Sequence, residues 1–371
     1  MRTFLTCLTL ALMLLTLPVL PVHAADAVPT LLIEANTGCV LSEEHADVQV
    51  QPGTLAKLMT AYLAAQAIEN GVFAADTVLT AGDSVTGMQG AVIWLEKGDT
   101  LSVDELLAAL LVGNANDAAA VLADAVSGDA GHFVMDMNAA AFDLGMHHTW
   151  FTSPQGFEDP ASYTTARDLG LLACAVLRCS VLTPYLTTWR TMIKNDTAEL
   201  VNENTLTRTY DGCRGLKAAH TGDRYSLIAA AERGGMLCAA VVLDCPDEDE
   251  RFHIAKQLLG EGFSGYKLAA PGYAEEFLVP LRIQGGTEQA VLLELSRLPV
   301  LAVPKSAALT SVTVLPEFRT APVEKGERVG TVCFYHDKTL LAESALCAAD
   351  AVPAMTFSSA WGKMLHALFS A

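Results

Sequence analysis

A nine-residue stretch, residues 52–60, constrains this chain more than any other part of the sequence, and it reads P-G-T-L-A-K-L-M-T. Turn-forming residues lead directly into an apolar, helix-forming segment, so Thr54 and Lys57 are predicted on the first turn of a helix. At spacing i and i+3 they share one helix face. A hydroxyl beside an amine that burial keeps neutral forms a nucleophile and base pair, and the helix N-terminus can stabilise an oxyanion. The alternative interpretation is a surface lysine one turn after an N-terminal threonine.

The charge of the chain limits the partners that it can have. Its 371 residues leave room for two domains, and its formal net charge is -19. So acidic a surface argues against nucleic acid as a partner and suits an exported protein. The nine histidines form no H-E-x-x-H motif or similar cluster. The sequence therefore predicts no metal site and no cofactor, and it disfavours a metalloprotease.

The N-terminus has the pattern of a signal peptide, which we predict as residues 1–24. Arg2 supplies the positive start, residues 4–20 the apolar run, and residues 22–24 a small-residue cleavage site. A membrane span is the alternative, but two prolines interrupt the run and no basic stop-transfer cluster follows it. The prediction is export from the cytoplasm.

Eight cysteines remain after removal of the signal peptide, and they show no C-x-x-C spacing. Most of them lie in apolar contexts, so buried free thiols are predicted. One or two disulfides are the alternative, because the predicted location is outside the cytoplasm.

Apolar periodicity and turn signals predict the secondary structure in outline. Residues 30–34 and 39–41 have the pattern of a β-hairpin, and Ser102 opens a helix through a capping box with Glu105. After a break, residues 118–126 form a second helix by pattern. Further strands are predicted at residues 227–231 and 236–243, and then as a series of short strands at residues 290–295, 300–303, 311–315 and 328–335.

Several segments resemble the low-molecular-mass penicillin-binding proteins, the serine-type D-Ala-D-Ala carboxypeptidases of the peptidase S11 family. Residues 52–60 are similar to the P-A-S-L-T-K-L-M-T segment of that family, and the resemblance continues through most of the chain. The other matching segments are residues 90–98 (family pattern G-S-x-x-W-L-x-x-G), 163–169 (Y-S-T-A-R-D-L), 200–206 (L-V-N-T-N-x-L) and 320–330 (A-P-V-x-K-G-x-x-V-G).

The first two active-site motifs of that family are altered in this chain. Thr54 stands where the family has its Ser-x-x-Lys serine, while Lys57 is kept. The second motif, usually S-G-N or S-A-N, is matched by N-A-N at residues 114–116. Asn116 is therefore kept, and Asn114 replaces a serine.

The third motif, G-x-K-T-G-H-T in that family, falls on residues 215–221. Lys217, His220 and Thr221 are kept, but Ala218 and Ala219 replace the threonine and the glycine. In a competing register, the H-T-G triplet at residues 220–222 is the motif, because a His-Thr-Gly form occurs elsewhere in the wider superfamily. Both registers stay open from the sequence.

The resemblance implies a role for each matching residue. Thr54 would attack the carbonyl of the D-Ala-D-Ala peptide, with Lys57 as its base and Asn114 at the position that returns a proton to the leaving amine. The implied substrate-binding residues are Asn116, Lys217, His220 and Thr221.

The altered residues weaken this predicted chemistry. The extra methyl of Thr54 restricts χ1 and crowds the attack, and Asn114 cannot relay a proton as a hydroxyl can. Ala218 lacks a donor for the substrate carboxylate, and Ala219 puts a methyl where the family's strand lies close to substrate. Hydrolysis is therefore predicted to be impaired.

The resemblance also implies an α/β fold. Residues 25–266 would form a penicillin-binding, transpeptidase-like domain, a sheet flanked by helices, and residues 275–350 a small all-β sandwich domain. An amphipathic tail helix is predicted at residues 355–371. Its apolar stripe consists of Trp361, Met364, Leu365, Leu368 and Phe369. This stripe predicts peripheral membrane contact, and the alternative is that the helix packs on the β domain.

The function predicted from these observations is that of an exported D-alanyl-D-alanine carboxypeptidase homologue in cell-wall remodelling. It would act on peptidoglycan stem peptides at the cell wall or the outer face of the cytoplasmic membrane, with β-lactams as further ligands. The alternative is a non-catalytic pseudoenzyme that binds peptidoglycan or a partner protein. The retained Lys57 and Asn116 favour the enzyme, because drift without selection need not have kept them.

Overall fold

The computed structural model describes residues 27–272 and 279–369, so the predicted signal peptide lies outside the described residues. A central antiparallel sheet consists of five strands, in the order β2 (Cys39–Glu44), β1 (Thr30–Glu34), β9 (Met236–Cys245), β8 (Arg224–Arg233) and β7 (Cys213–Thr221). The predicted hairpin and the two predicted strands at residues 227–231 and 236–243 are confirmed.

Helices cover both faces of this sheet. Because side chains alternate along a strand, Leu31 and Val241 point into a core with the larger helical layer, while Leu32 and Val242 point into a core with the last helix of this part of the chain. The helices are α1 (Lys57–Glu69), α2 (Val103–Leu111), α3 (Asn116–Ser127), α4 (Ala130–Asp143), α5 (Ala166–Arg178), α6 (Thr183–Thr187), α7 (Leu206–Thr209) and α8 (Glu248–Gly265). The predicted sheet flanked by helices is therefore confirmed.

The helix that carries Lys57 begins later than predicted. A 3-10 turn, Gly53–Ala56, holds Thr54, and α1 begins at Lys57; both residues therefore lie at the start of a helical segment, as predicted, but Thr54 is on the 3-10 turn and Lys57 on the α-helix. The chain enters this turn through Gly53, whose φ of +50° favours glycine and whose missing Cβ leaves room for Thr221. The first five residues of α1 are all buried, which makes it the central helix of its layer.

The break between α2 and α3 creates a second fixed point. The predicted capping box is confirmed, because Ser102 accepts from the Glu105 N–H and the Glu105 carboxylate accepts from the Ser102 N–H. Between the helices Asn114 has a φ of +56°, a left-handed conformation that asparagine tolerates. The second helix begins at Asn116, two residues before the predicted start.

Two small sheets join the helical layer. One pairs β3 (Val78–Thr80) with β4 (Thr100–Ser102), and the other pairs β5 (Arg190–Ile193) with β6 (Ala198–Val201). The first leads into α2, and the second leads into the segment that precedes β7. Both therefore support loops that reach the region around Lys57.

The chain beyond α8 is built from short strands, as predicted. They enclose a core of their own that includes Val332 and Phe334. The predicted strand at residues 290–295 is divided into two strands, and these lie in different sheets. The three sheets contain β10 (Tyr266–Ala269) with β14 (Leu301–Pro304), then β12 (Ala290–Val291) with β11 (Leu281–Gln284) and β16 (Arg319–Thr320), and then β13 (Leu293–Leu295) with β18 (Thr339–Ala348), β17 (Arg328–His336) and β15 (Leu309–Val314).

The tail forms the predicted helix, α9 (Phe357–Phe369). It leaves several large apolar side chains exposed: Phe357, Trp361, Met364, Leu368 and Phe369. Within the described residues no single helix has the length and hydropathy needed to cross a bilayer. One bent pair of helical segments, α5 and residues 180–187, has that length and hydropathy only when the two segments are taken together.

The cysteines of the described residues are free thiols, as predicted. Five are buried, and Cys39, Cys213 and Cys347 are half-buried. Burial raises the pKa of the Cys238 thiol to about 12, so this thiol stays protonated at neutral pH and is a poor nucleophile.

The packing of the turn that holds Thr54 gives a testable prediction. Gly156 has a φ of +74°, and a Cβ on it would collide with the carbonyl of Gly53. We expect Gly156→Ala to lower the free energy of unfolding by about 3 kcal/mol, measured by urea denaturation, since it adds a steric clash to the cost of the left-handed conformation. The matched control is Gly38→Ala, which has the same φ but open space around its Cβ and should cost about 1 kcal/mol. Equal losses would contradict the proposed packing.

Candidate active site

Polar side chains from four separate segments meet at the N-terminal end of α1. The 3-10 turn contributes Thr54, α1 contributes Lys57, the break before α3 contributes Asn114, and β7 contributes Lys217. Lys57 is 0% exposed and Lys217 is 3% exposed. Lysine is seldom buried so completely unless its amine has a partner or a function, which directs attention to this cluster.

Lys57 is held in a position suited to a base. Its Nζ donates to the Asn114 Oδ1 at 3.0 Å. Burial holds the pKa of Lys57 well below its usual 10.5, and the Lys217 ammonium lowers it further, while Glu203 and Asp117 partly offset both effects. A lowered pKa favours the neutral amine, whose lone pair can take a proton.

The Thr54 hydroxyl lies three residues before Lys57 and makes no hydrogen bond to its amine. Its Oγ1 is buried and has no hydrogen-bond partner among the described residues. Most buried hydroxyls in folded proteins are hydrogen-bonded, so an unpartnered one three residues before a buried lysine is a candidate nucleophile. Its χ1 is restricted by the β-branch, as the sequence predicts.

The two asparagines of the second motif lie on opposite sides of Ala115 and have different partners. Asn114 is 5% exposed, and its Nδ2 donates to the Glu203 Oε1 at 3.3 Å. Asn116 is 6% exposed, and its Nδ2 donates to the Gln89 carbonyl at 2.6 Å. The Oδ1 of Asn116 is buried without a partner among the described residues, so it can accept a hydrogen bond from a ligand.

The residues of the third motif are spread along β7. Burial lowers the pKa of Lys217 to about 8, with Glu203 acting in the opposite direction. Ala218 and Ala219 are buried in the two different cores of this part of the chain, so the methyl of Ala219 lies in the helical layer. His220 is exposed, and Thr221 packs against Gly53. The lysine of the first register, Lys217, is thus the one close to Lys57.

Two charged residues of this region were not predicted from the sequence. Glu203 lies between Asn202 and Asn204, in a segment that was assigned only to the family resemblance. The signal was an acid where the L-V-N-T-N pattern has a threonine. Arg251 is 3% exposed and its Nη1 donates to the Ala219 carbonyl at 2.8 Å, so it supports β7 from α8.

The arrangement supports acyl transfer through a side-chain nucleophile. A hydroxyl without a partner among the described residues lies three positions before a lysine of lowered pKa, and a second buried amine can receive an anionic group of a substrate. Within the described residues no group of three or more histidine, cysteine, aspartate or glutamate side chains could hold a metal ion.

Comparison with known proteins finds relatives of this chain in one family. The family model for D-alanyl-D-alanine carboxypeptidases matches residues 18–247. The D-alanyl-D-alanine carboxypeptidase DacF of Bacillus subtilis is 28% identical over 334 residues, which are 88% of this chain and 86% of that protein. Penicillin binding protein 5 from Haemophilus influenzae superposes with a TM-score of 0.79 at 25% identity, over 88% of this chain and 97% of that chain. Penicillin-binding protein D2 from Listeria monocytogenes in its ampicillin-bound form superposes with a TM-score of 0.58 at 29% identity, over 63% of this chain and 96% of that chain.

The burial of Lys217 gives a prediction about stability and pH. Its folded pKa of about 8 lies below its usual 10.5, so between these values the unfolded chain binds more protons and stability rises with pH. Replacement by an uncharged side chain removes this dependence. We expect Lys217→Met to raise the free energy of unfolding by about 3 kcal/mol at pH 7. At pH 10 this gain should be smaller by about 2 kcal/mol, because the unaltered protein itself becomes more stable as pH rises.

Chemical denaturation at a series of pH values measures this gain. Lys305→Met is the control, because Lys305 lies on the surface with its Nζ on the Phe263 carbonyl. A gain at Lys217 that does not change with pH would contradict the buried-amine interpretation.

Proposed function

Because the chain belongs to the D-alanyl-D-alanine carboxypeptidase family, we propose that it acts on peptidoglycan stem peptides, with Thr54 as nucleophile and Lys57 as base. The family and the penicillin-binding fold predicted from the sequence are confirmed by the comparisons. The observation that carries the proposal is the buried Thr54 hydroxyl without a partner, three residues before an amine whose pKa is lowered.

The proposed reaction begins with the neutral amine of Lys57. Its lone pair takes the proton of the Thr54 hydroxyl while the oxygen attacks the carbonyl carbon of the penultimate D-alanine. The peptide C–N bond then breaks, and the leaving amine of the terminal D-alanine takes up the proton that Lys57 took from Thr54. Water finally cleaves the acyl ester and restores Thr54. The Lys217 ammonium would hold the terminal carboxylate, and Asn116 would accept from a peptide N–H.

We propose that this hydrolysis is slow. The methyl of Thr54 limits the rotamers from which its oxygen can attack. Asn114 accepts a hydrogen bond from Lys57, but an amide cannot pass a proton onward as a hydroxyl does. His220 is exposed, and Thr221 lies at the end of β7 against Gly53, so these two are proposed to line the rim of the substrate site.

The second candidate is a non-catalytic module that binds peptidoglycan peptide or a partner protein. The observation that favours it is the amide of Asn114 at the position where a proton must return to the leaving amine. Such a module would keep Lys217 and Asn116 as ligand contacts without turnover.

Location and domain organisation complete the proposal. Residues 1–24 are proposed as the signal peptide of an exported protein. Two domains are proposed, residues 25–266 and 275–350, and the support for them is the separate core formed by the strands beyond α8.

Covalent capture by a β-lactam tests the nucleophile, because penicillin-binding relatives include an ampicillin-bound form. We expect intact-mass analysis after prolonged incubation with a penicillin to show an adduct of one penicillin per chain. The adduct should be absent in Thr54→Ala and should form roughly tenfold faster or more in Thr54→Ser, which lacks the crowding methyl.

Either of two results would count against the enzyme. An adduct that persists in Thr54→Ala would show that another residue is the nucleophile. If the unaltered protein and Thr54→Ser both stay unmodified, the binding module becomes the better assignment.

The tail helix α9 is proposed to lie on a membrane surface through its exposed apolar side chains. Its Lys363 ammonium pairs with Glu288 of the β-rich part, while Phe357 and Trp361 are exposed. We expect the full chain to sediment with phosphatidylcholine vesicles, and Phe357→Ser/Trp361→Ser to lose most of that binding without a change in melting temperature. Trp150→Ser is the control, because Trp150 is 49% exposed and Trp361 is 51% exposed. Equal binding by the double variant would contradict the membrane role.

A further inference from the structure

Asn114 stands between the proposed base and a carboxylate. On one side its Oδ1 accepts from the Lys57 Nζ at 3.0 Å, and on the other its Nδ2 donates to the Glu203 Oε1 at 3.3 Å. Asn114 is 5% exposed, so its amide has little water to bond with. The three side chains therefore form a continuous chain from α1 to the segment after β6.

The chemistry of the carboxylate decides which way the amide of Asn114 faces. An ionised carboxylate can only accept hydrogen bonds, so the NH₂ group of the amide must face Glu203. Its oxygen then faces Lys57. An asparagine side chain fixed at one end in this way has no second orientation of equal energy.

The orientation of the amide in turn decides what the amine of Lys57 can do. A neutral amine has two N–H donors and one lone pair. With the Asn114 oxygen towards it, the amine donates an N–H and its lone pair is left for the Thr54 hydroxyl. If the amide were turned, its NH₂ group would donate to that lone pair and compete with the proton of Thr54.

We propose that Glu203 is a positioning residue of this active site, which orients the Asn114 amide so that the lone pair of Lys57 stays free to take the proton of Thr54. The inference rests on the proposed function in that Thr54 is the nucleophile. It goes beyond that function because it assigns a role to an acid outside the three motifs.

The segment around Glu203 is built to present its carboxylate. Asn202 donates to the Thr188 carbonyl at 3.1 Å and accepts from the Asn204 N–H at 2.9 Å, and Asn204 accepts from the Leu206 N–H at 3.2 Å. Both asparagines are buried. The backbone on either side of Glu203 is thus fixed by buried contacts although the acid itself is exposed.

The other charged groups that act on Lys57 do not orient Asn114. The Asp117 carboxylate accepts from the N–H groups of Ile93 and Leu95. The Lys217 ammonium has no acceptor atom, so it cannot receive the N–H of the Asn114 amide. Glu203 is the group that contacts the amide.

The two altered positions also fit one another. In the resembled family a serine stands at position 114 and a threonine at position 203. A threonine hydroxyl can donate or accept, so it would leave an amide at position 114 free to take either orientation. The acid at 203 removes that freedom.

A double-mutant cycle between positions 203 and 114 tests the inference. The four proteins are the unaltered chain, Glu203→Gln, Asn114→Ser and the double variant. Glutamine keeps the size of glutamate but can present either N–H or oxygen to Asn114. Glu199→Gln is the matched control. Glu199 is an exposed acid on β6, four residues before Glu203, and it pairs with Arg190.

The first readout does not depend on catalysis. With lysines labelled at ¹³Cε, NMR gives the titration midpoint of Lys57, which Lys57→Met identifies by loss of its signal. Glu203→Gln should lower that midpoint, because the chain loses a negative charge and the turned amide disfavours the ammonium. The decrease should be clearly larger with asparagine than with serine at position 114, and Glu199→Gln should leave the midpoint unchanged. Equal decreases in both backgrounds would overturn the inference, whatever the activity.

The second readout is the rate of acylation by a penicillin as a function of pH. Glu203→Gln should lower the plateau rate roughly tenfold or more and shift the acid limb to lower pH. With serine at position 114 the plateau should change little on the same substitution. A loss of rate with an unshifted acid limb, or the same loss in both backgrounds, would also overturn the inference. If no variant is acylated, the proposed function fails while the NMR cycle still decides the role of Glu203.

Discussion

Two lysine amines buried in one small site set the constraint on which the rest of this active site depends. Lys57 is 0% exposed and Lys217 is 3% exposed. Desolvation disfavours the charged form of each amine, and the Lys217 ammonium lowers the pKa of Lys57 further. An apolar side chain at either position would destabilise the folded protein less than a buried amine does. The retention of both amines is therefore better explained by chemistry than by packing.

The fold fixes these amines through its most deeply buried parts. The first turn of α1 places Lys57 in the centre of the helical layer, where water is excluded. Opposite it, β7 is held by pairing with β8 and by Arg251, which donates to the Ala219 and Ser226 carbonyls from behind. The low pKa at Lys57 therefore follows first from its burial and then from the Lys217 ammonium that β7 places within electrostatic reach.

The sequence predicted those parts of this structure that depend on local signals. The hairpin β1–β2, the capping box at Ser102 and the break at Asn114 follow from turn chemistry and periodicity. The 3-10 turn around Thr54 could not be predicted, because it depends on the contact between Gly53 and Thr221 from β7. The contact between Asn114 and Glu203 spans 89 positions in the sequence, and no periodicity encodes a contact of that range. Which polar residues lie in the site was therefore largely predictable, but which ones bond to one another was not.

The pattern of changes argues for a site under selection. Loss of function would relax every position of the site, and a buried lysine that had lost its role would be among the costlier residues to keep. Lys57 and Lys217 are both present, and Asn114 carries an amide whose two ends are both bonded, one to Lys57 and the other to Glu203. Under the proposed function, a fixed polar bridge stands where the resembled family has a hydroxyl. Such a bridge cannot carry a proton, but it can hold the base in one state, and this is consistent with the slow acyl transfer that we propose.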